Sequence, residues 1–218
     1  MKKIKTLFVL LFLLAATVAN AQFANSSAVS GSISSSASEE NWRNFVASYN
    51  SVTIDMDGMD DDLDHVNGVE LGFLSGVRLS ETTPFYFEGG LLANYIFGDL
   101  YDKYDVTLST SIFSLKVPVN IGYKVDVTER FSLFPYAGIY LKGNFKGTLT
   151  FDYDGEEEEI DIFDDDEGNG KPLQFGMSIG VRCLVDNFNF GIGYGFDINE
   201  MMEDTKVKSL NFSIGFNF

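Results

Sequence analysis

Apolar and polar residues alternate along several stretches of the chain, and the last of these stretches is the most regular. Between residues 210 and 218 the apolar Leu210, Phe212, Ile214, Phe216 and Phe218 are separated by small or polar residues. Successive side chains of a β-strand point to opposite faces, so a period of two predicts a strand with one wholly apolar face.

The same alternation predicts eight β-strands. We place them at residues 45–54, 66–80, 85–97, 106–125, 131–145, 173–185, 188–198 and 210–218. The fourth is clearest from Phe113, where apolar residues at odd positions alternate with Ser114, Lys116, Pro118 and Asn120. The chain also contains 21 Phe, 10 Tyr and 21 Gly, and the aromatic residues favour strands.

The connectors between these strands alternate in length. They span residues 55–65, 81–84, 98–105, 126–130, 147–172, 186–187 and 199–206. Long extracellular loops alternating with short periplasmic turns are typical of outer-membrane barrels, and a tilted membrane strand needs about 9–11 residues. We therefore predict an all-β fold, an eight-stranded antiparallel up-and-down transmembrane β-barrel with both termini in the periplasm.

The polar face of the strands indicates which side faces lipid. It is rich in glycine and carries Asp197 and a set of mixed charges: Glu70, Arg78, Glu88, Lys116, Lys124 and Arg182. The interior of an eight-stranded barrel is just wide enough for side chains to fill it, and buried charges must pair. We therefore expect these charges to form an ion-pair network in the lumen. A narrow polar path for water or small ions is the alternative.

The N-terminal region predicts an exported protein. Lys2, Lys3 and Lys5 precede an apolar run that is too short to span a bilayer, and Ala19-Asn20-Ala21 is a small-x-small cleavage site. These features are typical of a secretory signal peptide, here residues 1–21. A Ser-rich stretch, residues 22–44, is expected to be a flexible periplasmic arm, and residues 45–218 are expected to form the barrel.

Several strand motifs resemble a known family. The segments 114–123 (SLKVPVNIGY), 134–140 (FPYAGIY) and 188–195 (FNFGIGYG), together with the signal peptide and the terminal Phe218, resemble the PorT-like outer-membrane β-barrel family of Gram-negative bacteria. The resemblance covers about residues 45–218. It implies an outer-membrane location, contact with lipid and lipopolysaccharide, and recognition of the C-terminal strand by the barrel-assembly machinery.

Acidic residues dominate the charge of the chain. Asp and Glu total 32 against 15 Lys and Arg, a net charge of −17, which argues against binding nucleic acid. Two acidic clusters lie in predicted extracellular loops, and oxygen-rich loops can bind Ca²⁺ directly or bridge to lipopolysaccharide. A solvated, self-repelling loop is the simpler interpretation. The candidate ligands are Asp55, Asp57, Asp60, Asp61, Asp62, Asp152, Asp154, Glu156, Asp164, Asp165 and Asp166.

No catalytic constellation is visible in the sequence. His65 is the only histidine and Cys183 the only cysteine, so a Ser-His or His-metal site is hard to build. We therefore expect no enzyme activity and no cofactor. The expected role is structural, adhesive or surface-binding. The alternatives are a narrow channel or transport-associated barrel, and a soluble, lipocalin-like periplasmic barrel that binds an apolar ligand.

Overall fold

The computed structural model describes residues 41–56, 65–80, 82–103, 106–153, 156–164, 170–202 and 204–218. They form ten strands: β1 (Asn41–Met56), β2 (Val66–Ser80), β3 (Thr83–Lys103), β4 (Val106–Tyr123), β5 (Val125–Thr128), β6 (Phe131–Tyr153), β7 (Glu156–Asp161), β8 (Leu173–Val185), β9 (Phe188–Asp197) and β10 (Thr205–Asn217). This part of the chain contains no helix that is long and apolar enough to cross a membrane. The expected signal peptide and residues 22–40 of the expected arm lie outside the described residues.

The sheet closes on itself through antiparallel pairs. Pairing runs from β1 through β2, β3, β4, β6, β8, β9 and β10, and β10 returns to β1, with Phe45 opposite Phe216. Among the described residues, β5 and β7 pair only with β6. The antiparallel β-barrel is confirmed. The expected number of eight strands is not confirmed, because two connectors contain the short strands β5 and β7.

Several connectors are shorter than the sequence indicated. β3 has 21 residues and β6 has 23, so most of the expected loop 98–105 is paired strand. The start of the expected loop 147–172 likewise continues β6 and pairs with β7. Neighbouring charges obscured β-forming residues such as Tyr101, Phe151 and Tyr153, which favour strand. The expected arm also ends too late, since β1 begins at Asn41.

The two ends of the barrel differ. At one, which we name the turn end, β1 begins, β10 ends and the tight turns lie; Phe218 N donates to Arg43 O at 3.0 Å. At the other, the loop end, β1, β3, β6 and β9 end and β2, β4, β8 and β10 begin. Near the turn end, between the paired strands β5 and β6, the Ser132 hydroxyl donates to Asp126 at 2.6 Å. That bond, followed by the charge of Lys124, holds the pKa of Asp126 below its ordinary value.

The apolar residues of the predicted alternating series, such as Ile139, Phe73 and Ile179, face outward. Ile139 is 58% exposed, Phe73 58% and Ile179 60%, whereas Glu88 and Arg182 on the opposite parity are buried. Outward aromatic rings contact one another across strands, as in Phe45 with Phe73 at 5.1 Å between centroids. A soluble apolar-ligand binder would need this face to line its cavity, so that alternative is wrong.

Replacing Ile139 by Arg tests the lipid-facing assignment. Ile139 lies midway along the outward apolar row of β6, so we expect Ile139→Arg to destabilise the barrel by about 2–4 kcal/mol. Ser111→Arg, on the neighbouring β4 beyond the apolar row, should cost about 0–1 kcal/mol. Denaturant unfolding of both variants in lipid vesicles measures the difference. Equal costs would contradict the assignment.

Candidate functional site

Among the described residues, the most deeply buried ion pair joins Glu88 of β3 to Arg182 of β8 across the lumen. The two guanidinium nitrogens donate to the two carboxylate oxygens at 2.7 and 2.5 Å. The side chains are 0% and 4% exposed, and Asn120 Nδ2 also donates to Glu88 at 2.8 Å. A bidentate contact of this kind compensates part of the cost of removing both charges from water.

Aromatic rings surround the guanidinium of Arg182. Its Cζ lies 4.6 Å from the centroid of Tyr136, 5.2 Å from Phe134 and 5.7 Å from Trp42. The flat guanidinium is attracted to the faces of such rings. This layer, on the turn-end side of the lumen, therefore combines an ion pair with bulky side chains that exclude water.

Inward glycines make room for these rings. A Cβ at Gly122 would lie 2.1 Å from Phe134 Cζ, and one at Gly76 would lie 2.3 Å from the ring of Trp42. Both distances are far below van der Waals contact, so a larger residue at either position would displace the ring. Glycine in these strands is therefore explained by close approach of an aromatic side chain.

A second polar layer lies nearer the loop end. Lys116 Nζ pairs with Glu70 at 2.5 Å, and Asn94 Nδ2 donates to the same carboxylate at 3.3 Å. Nearby, Asp197 accepts from Lys142 Nζ at 2.6 Å and from the Tyr140 hydroxyl at 2.7 Å. The layer contains two cations and two anions and is neutral as a whole.

The space between the Glu70–Lys116 pair and the Asp197–Lys142 pair is small. A cavity of about 20 Å³ remains, lined by residues that include Asn50, Glu70, Lys116, Lys142 and Asp197. A water molecule needs about 10–15 Å³ measured in this way, so the cavity has room for roughly one. The described part of the lumen is therefore filled by side chains at this level.

An apolar cluster, which we name the plug, fills the barrel at the loop end. Ile162 follows β7 and is 1% exposed, and its backbone N–H donates to Gly147 O at 2.8 Å. Met201, between β9 and β10, accepts from Lys171 N at 2.7 Å. These bonds hold two connector segments over the mouth. The buried members are Val52, Ile54, Val66, Ile96, Leu100, Ile112, Ile162, Met201 and Val207.

The predicted lumenal charges divide into two groups. Glu70 pairs with Lys116 and Glu88 with Arg182, inside the barrel. The other two lie near the turn end: Lys124 pairs with Asp126 at 3.3 Å, and Arg78 donates to Thr83 O at 3.3 Å.

Lys142 was not predicted to be lumenal, because the sequence of β6 is aromatic on both faces. The parity of Phe134, Tyr136 and Tyr140, all inward, would have revealed it, since Lys142 follows in the same series.

The acidic candidates are only partly described. Asp55 forms an ion pair with Lys208, Asp152 is half-buried, and Glu156 and Asp164 are exposed. Asp57, Asp60, Asp61, Asp62, Asp154, Asp165 and Asp166 lie outside the described residues. Within the described ranges, no three acidic, histidine or cysteine side chains are grouped so that they could hold a metal ion. Calcium binding therefore stays a prediction.

His65 lies beside a hydroxyl at the surface. Its Nδ1 is 2.8 Å from the Thr53 hydroxyl, and the contact is solvent-exposed. Cys183 is half-buried and not part of a disulfide. His65 precedes β2 at the loop end, and Cys183 follows Arg182 in β8 but has the outward parity of that strand. The lumen therefore offers positioned charges and polar groups.

Comparisons with known proteins agree on the fold. A family model described as an outer membrane protein beta-barrel domain matches residues 6–218. Among solved structures, the chain is similar to Ail, the attachment invasion locus protein of Yersinia pestis, with a TM-score of 0.51 and 15% identity over 82% of this chain and 99% of that one. The chain is also similar to the outer membrane enzyme PagL, with a TM-score of 0.48 and 15% identity over 79% of this chain and 98% of that one. No curated protein matches the sequence.

At these identities the likeness to Ail shows a shared fold alone. The family match concerns outer-membrane β-barrels in general, and the narrower PorT-like resemblance stays a prediction.

Removing one partner of the buried Glu88–Arg182 pair should lower the free energy of unfolding more than removing both. Arg182→Met leaves Glu88 buried without its cation, so we expect a loss of about 3–5 kcal/mol of unfolding free energy. The double variant Glu88→Gln with Arg182→Met should be more stable than Arg182→Met alone. Unfolding in lipid vesicles, followed by the gel mobility of unboiled samples, measures both.

The exposed pair Arg130–Asp186 provides a matched control. Its atoms are 4.0 Å apart and its side chains are 83% and 61% exposed, so Arg130→Met should cost less than about 1 kcal/mol. If the double variant at Glu88 and Arg182 is no more stable than Arg182→Met, the two side chains are not coupled and our description of the layer is wrong.

Proposed function

The chain belongs to the outer membrane protein β-barrel domain family, and on that premise we propose that it is a closed barrel that displays a binding surface outside the cell. The membrane-embedded part consists of the eight strands of the closed circuit, β1, β2, β3, β4, β6, β8, β9 and β10. The short β5 and β7 lie outside the bilayer, at opposite ends. A signal peptide at residues 1–21 directs export, and the C-terminal strand is recognised during barrel assembly.

One observation carries the proposal: the lumen is filled while part of the sheet continues beyond it. The plug, the Glu70–Lys116 layer and the Glu88–Arg182 layer follow one another along the barrel. β3 and β6 are about twice as long as a membrane crossing of about 9–11 residues requires. Strand length that a membrane crossing does not need is available to contact a partner, whereas a filled lumen leaves little space for a substrate.

The orientation follows from the lengths of the connectors. Barrels of outer membranes have short periplasmic turns and longer extracellular loops. The turn end, with its tight connection at residues 186–187, is therefore periplasmic, and the loop end faces the outside. The exposed carboxylates at the loop end stay solvated in this proposal, and the protein catalyses no reaction.

Cysteine labelling of intact cells tests the orientation. In a Cys183→Ser background, Tyr153→Cys at the loop end should react with a membrane-impermeant maleimide added to intact cells. Asp126→Cys at the turn end should react only after the outer membrane is permeabilised. The two positions are matched in exposure, at 66% for Tyr153 and 67% for the Asp126 side chain. The reverse pattern would contradict surface display of the loop end.

A further inference from the structure

The sheet beyond the plug has an apolar face that rises out of the barrel interior. Ile112 of β4 lies in the plug, and the inward positions that follow toward the loop end on β4 are Thr110, Leu108 and Val106. Val106 is six residues beyond Ile112, or roughly 20 Å along the strand at about 3.4 Å per residue. We name the part of β3, β4, β6 and β7 beyond Ile112 the flap.

Residues paired across the flap continue the same face. Opposite residues of antiparallel strands share a face; Phe151 lies opposite Leu108 and Tyr153 opposite Val106. Exposure increases along this face, from 1% at Ile112 to 39% at Phe151 and 66% at Tyr153. The side chains of Phe151 and Tyr153 are therefore exposed to solvent. They lie on the same face as Ile112, which is packed in the plug.

The opposite face of the flap is polar. It carries Ser109, Thr148 and Thr150, and Ser109 donates to Asp99 at 2.6 Å. The flap is therefore amphipathic. An amphipathic sheet with one solvated face normally packs its apolar face against another element.

β7 adds an edge of uniform charge. Glu156, Glu157, Glu158 and Glu159 are all exposed, and Glu158 lies opposite Phe151 while Glu156 lies opposite Tyr153. Among the described residues, β7 pairs with β6 along one edge and with no strand along the other. Backbone groups on an open edge can pair with a further strand.

We infer that the flap binds an extended, arginine-rich segment of another protein, which adds to β7 as a further strand. This inference rests on the proposed function, because it requires the loop end to face outward. Main-chain hydrogen bonds to the β7 edge supply part of the affinity. Arginine side chains beside Glu156 and Glu158 reach the rings of Tyr153 and Phe151, where their apolar stems and guanidinium groups are both accommodated.

The negative charge of β7 disfavours two other occupants of its open edge, a second copy of the chain and anionic lipid. A second copy of the chain would place glutamates opposite glutamates, and like charges directly opposite destabilise a strand pair. Anionic lipid headgroups are repelled by the same residues. A cationic protein segment can pair with the open edge, neutralise the carboxylates and pack against the aromatic rings.

The test uses the full-length protein in detergent micelles and a fluorescent oligoarginine peptide, followed by anisotropy at physiological ionic strength. We expect saturable binding. Phe151→Ser with Tyr153→Ser should weaken it at least about tenfold, as truncation of aromatic anchors does. Thr150→Ala, on the opposite face of β6 in the same hairpin, should change the affinity less than about threefold. Unboiled gel mobility verifies that each variant is folded.

A second probe separates strand addition from attraction by net charge. An oligoarginine peptide that is N-methylated at alternate residues keeps its charge but loses main-chain donors, so it should bind at least about tenfold more weakly to the unmodified protein. Equal binding of both peptides, an unchanged affinity of the folded aromatic variant, or absence of binding would overturn the inference. Labelling of Tyr153→Cys from outside the cell would then still support the proposed function.

Discussion

Closure of the sheet between β1 and β10 is the constraint on which the rest of the structure depends. Lipid offers no hydrogen-bond partner to backbone N–H and C=O groups, so a membrane-spanning sheet must pair every edge. Here β10 pairs with β1 over residues 44–56 and with β9 on its other side. Once the ring is closed, the parity of each strand decides which side chains meet lipid and which are confined together inside.

Confinement explains the composition of the interior. Glu88 and Arg182 can be buried because each is the other's partner, and Asp197 is similarly paired with Lys142. The rings that pack against Arg182 need space, and glycine on adjacent strands supplies it, as at Gly122 beside Phe134. At the loop end the interior changes from polar to apolar at the plug, which closes the barrel without further charges.

The sequence predicted the barrel better than its ends. Period-two alternation is strong where one face meets lipid, so Val66–Ser80 and Leu173–Val185 were placed without error. Beyond the bilayer both faces contact water or other side chains and the alternation weakens, so the strand after Phe97 was taken for loop. The inward position of Lys142 was hidden because β6 carries aromatic residues on both faces. Which charges pair depends on register between distant strands, which a single sequence does not specify.

The central claim is that the lumen is filled, and ion conductance tests it most directly. Full-length protein that shows the mobility shift of a folded barrel is inserted into planar bilayers in concentrated KCl, with a porin as the positive control. Because about 20 Å³ of cavity remains between the ion pairs and the plug closes one end, we predict no current steps above the protein-free bilayer. Reproducible steps from the folded protein would contradict the account.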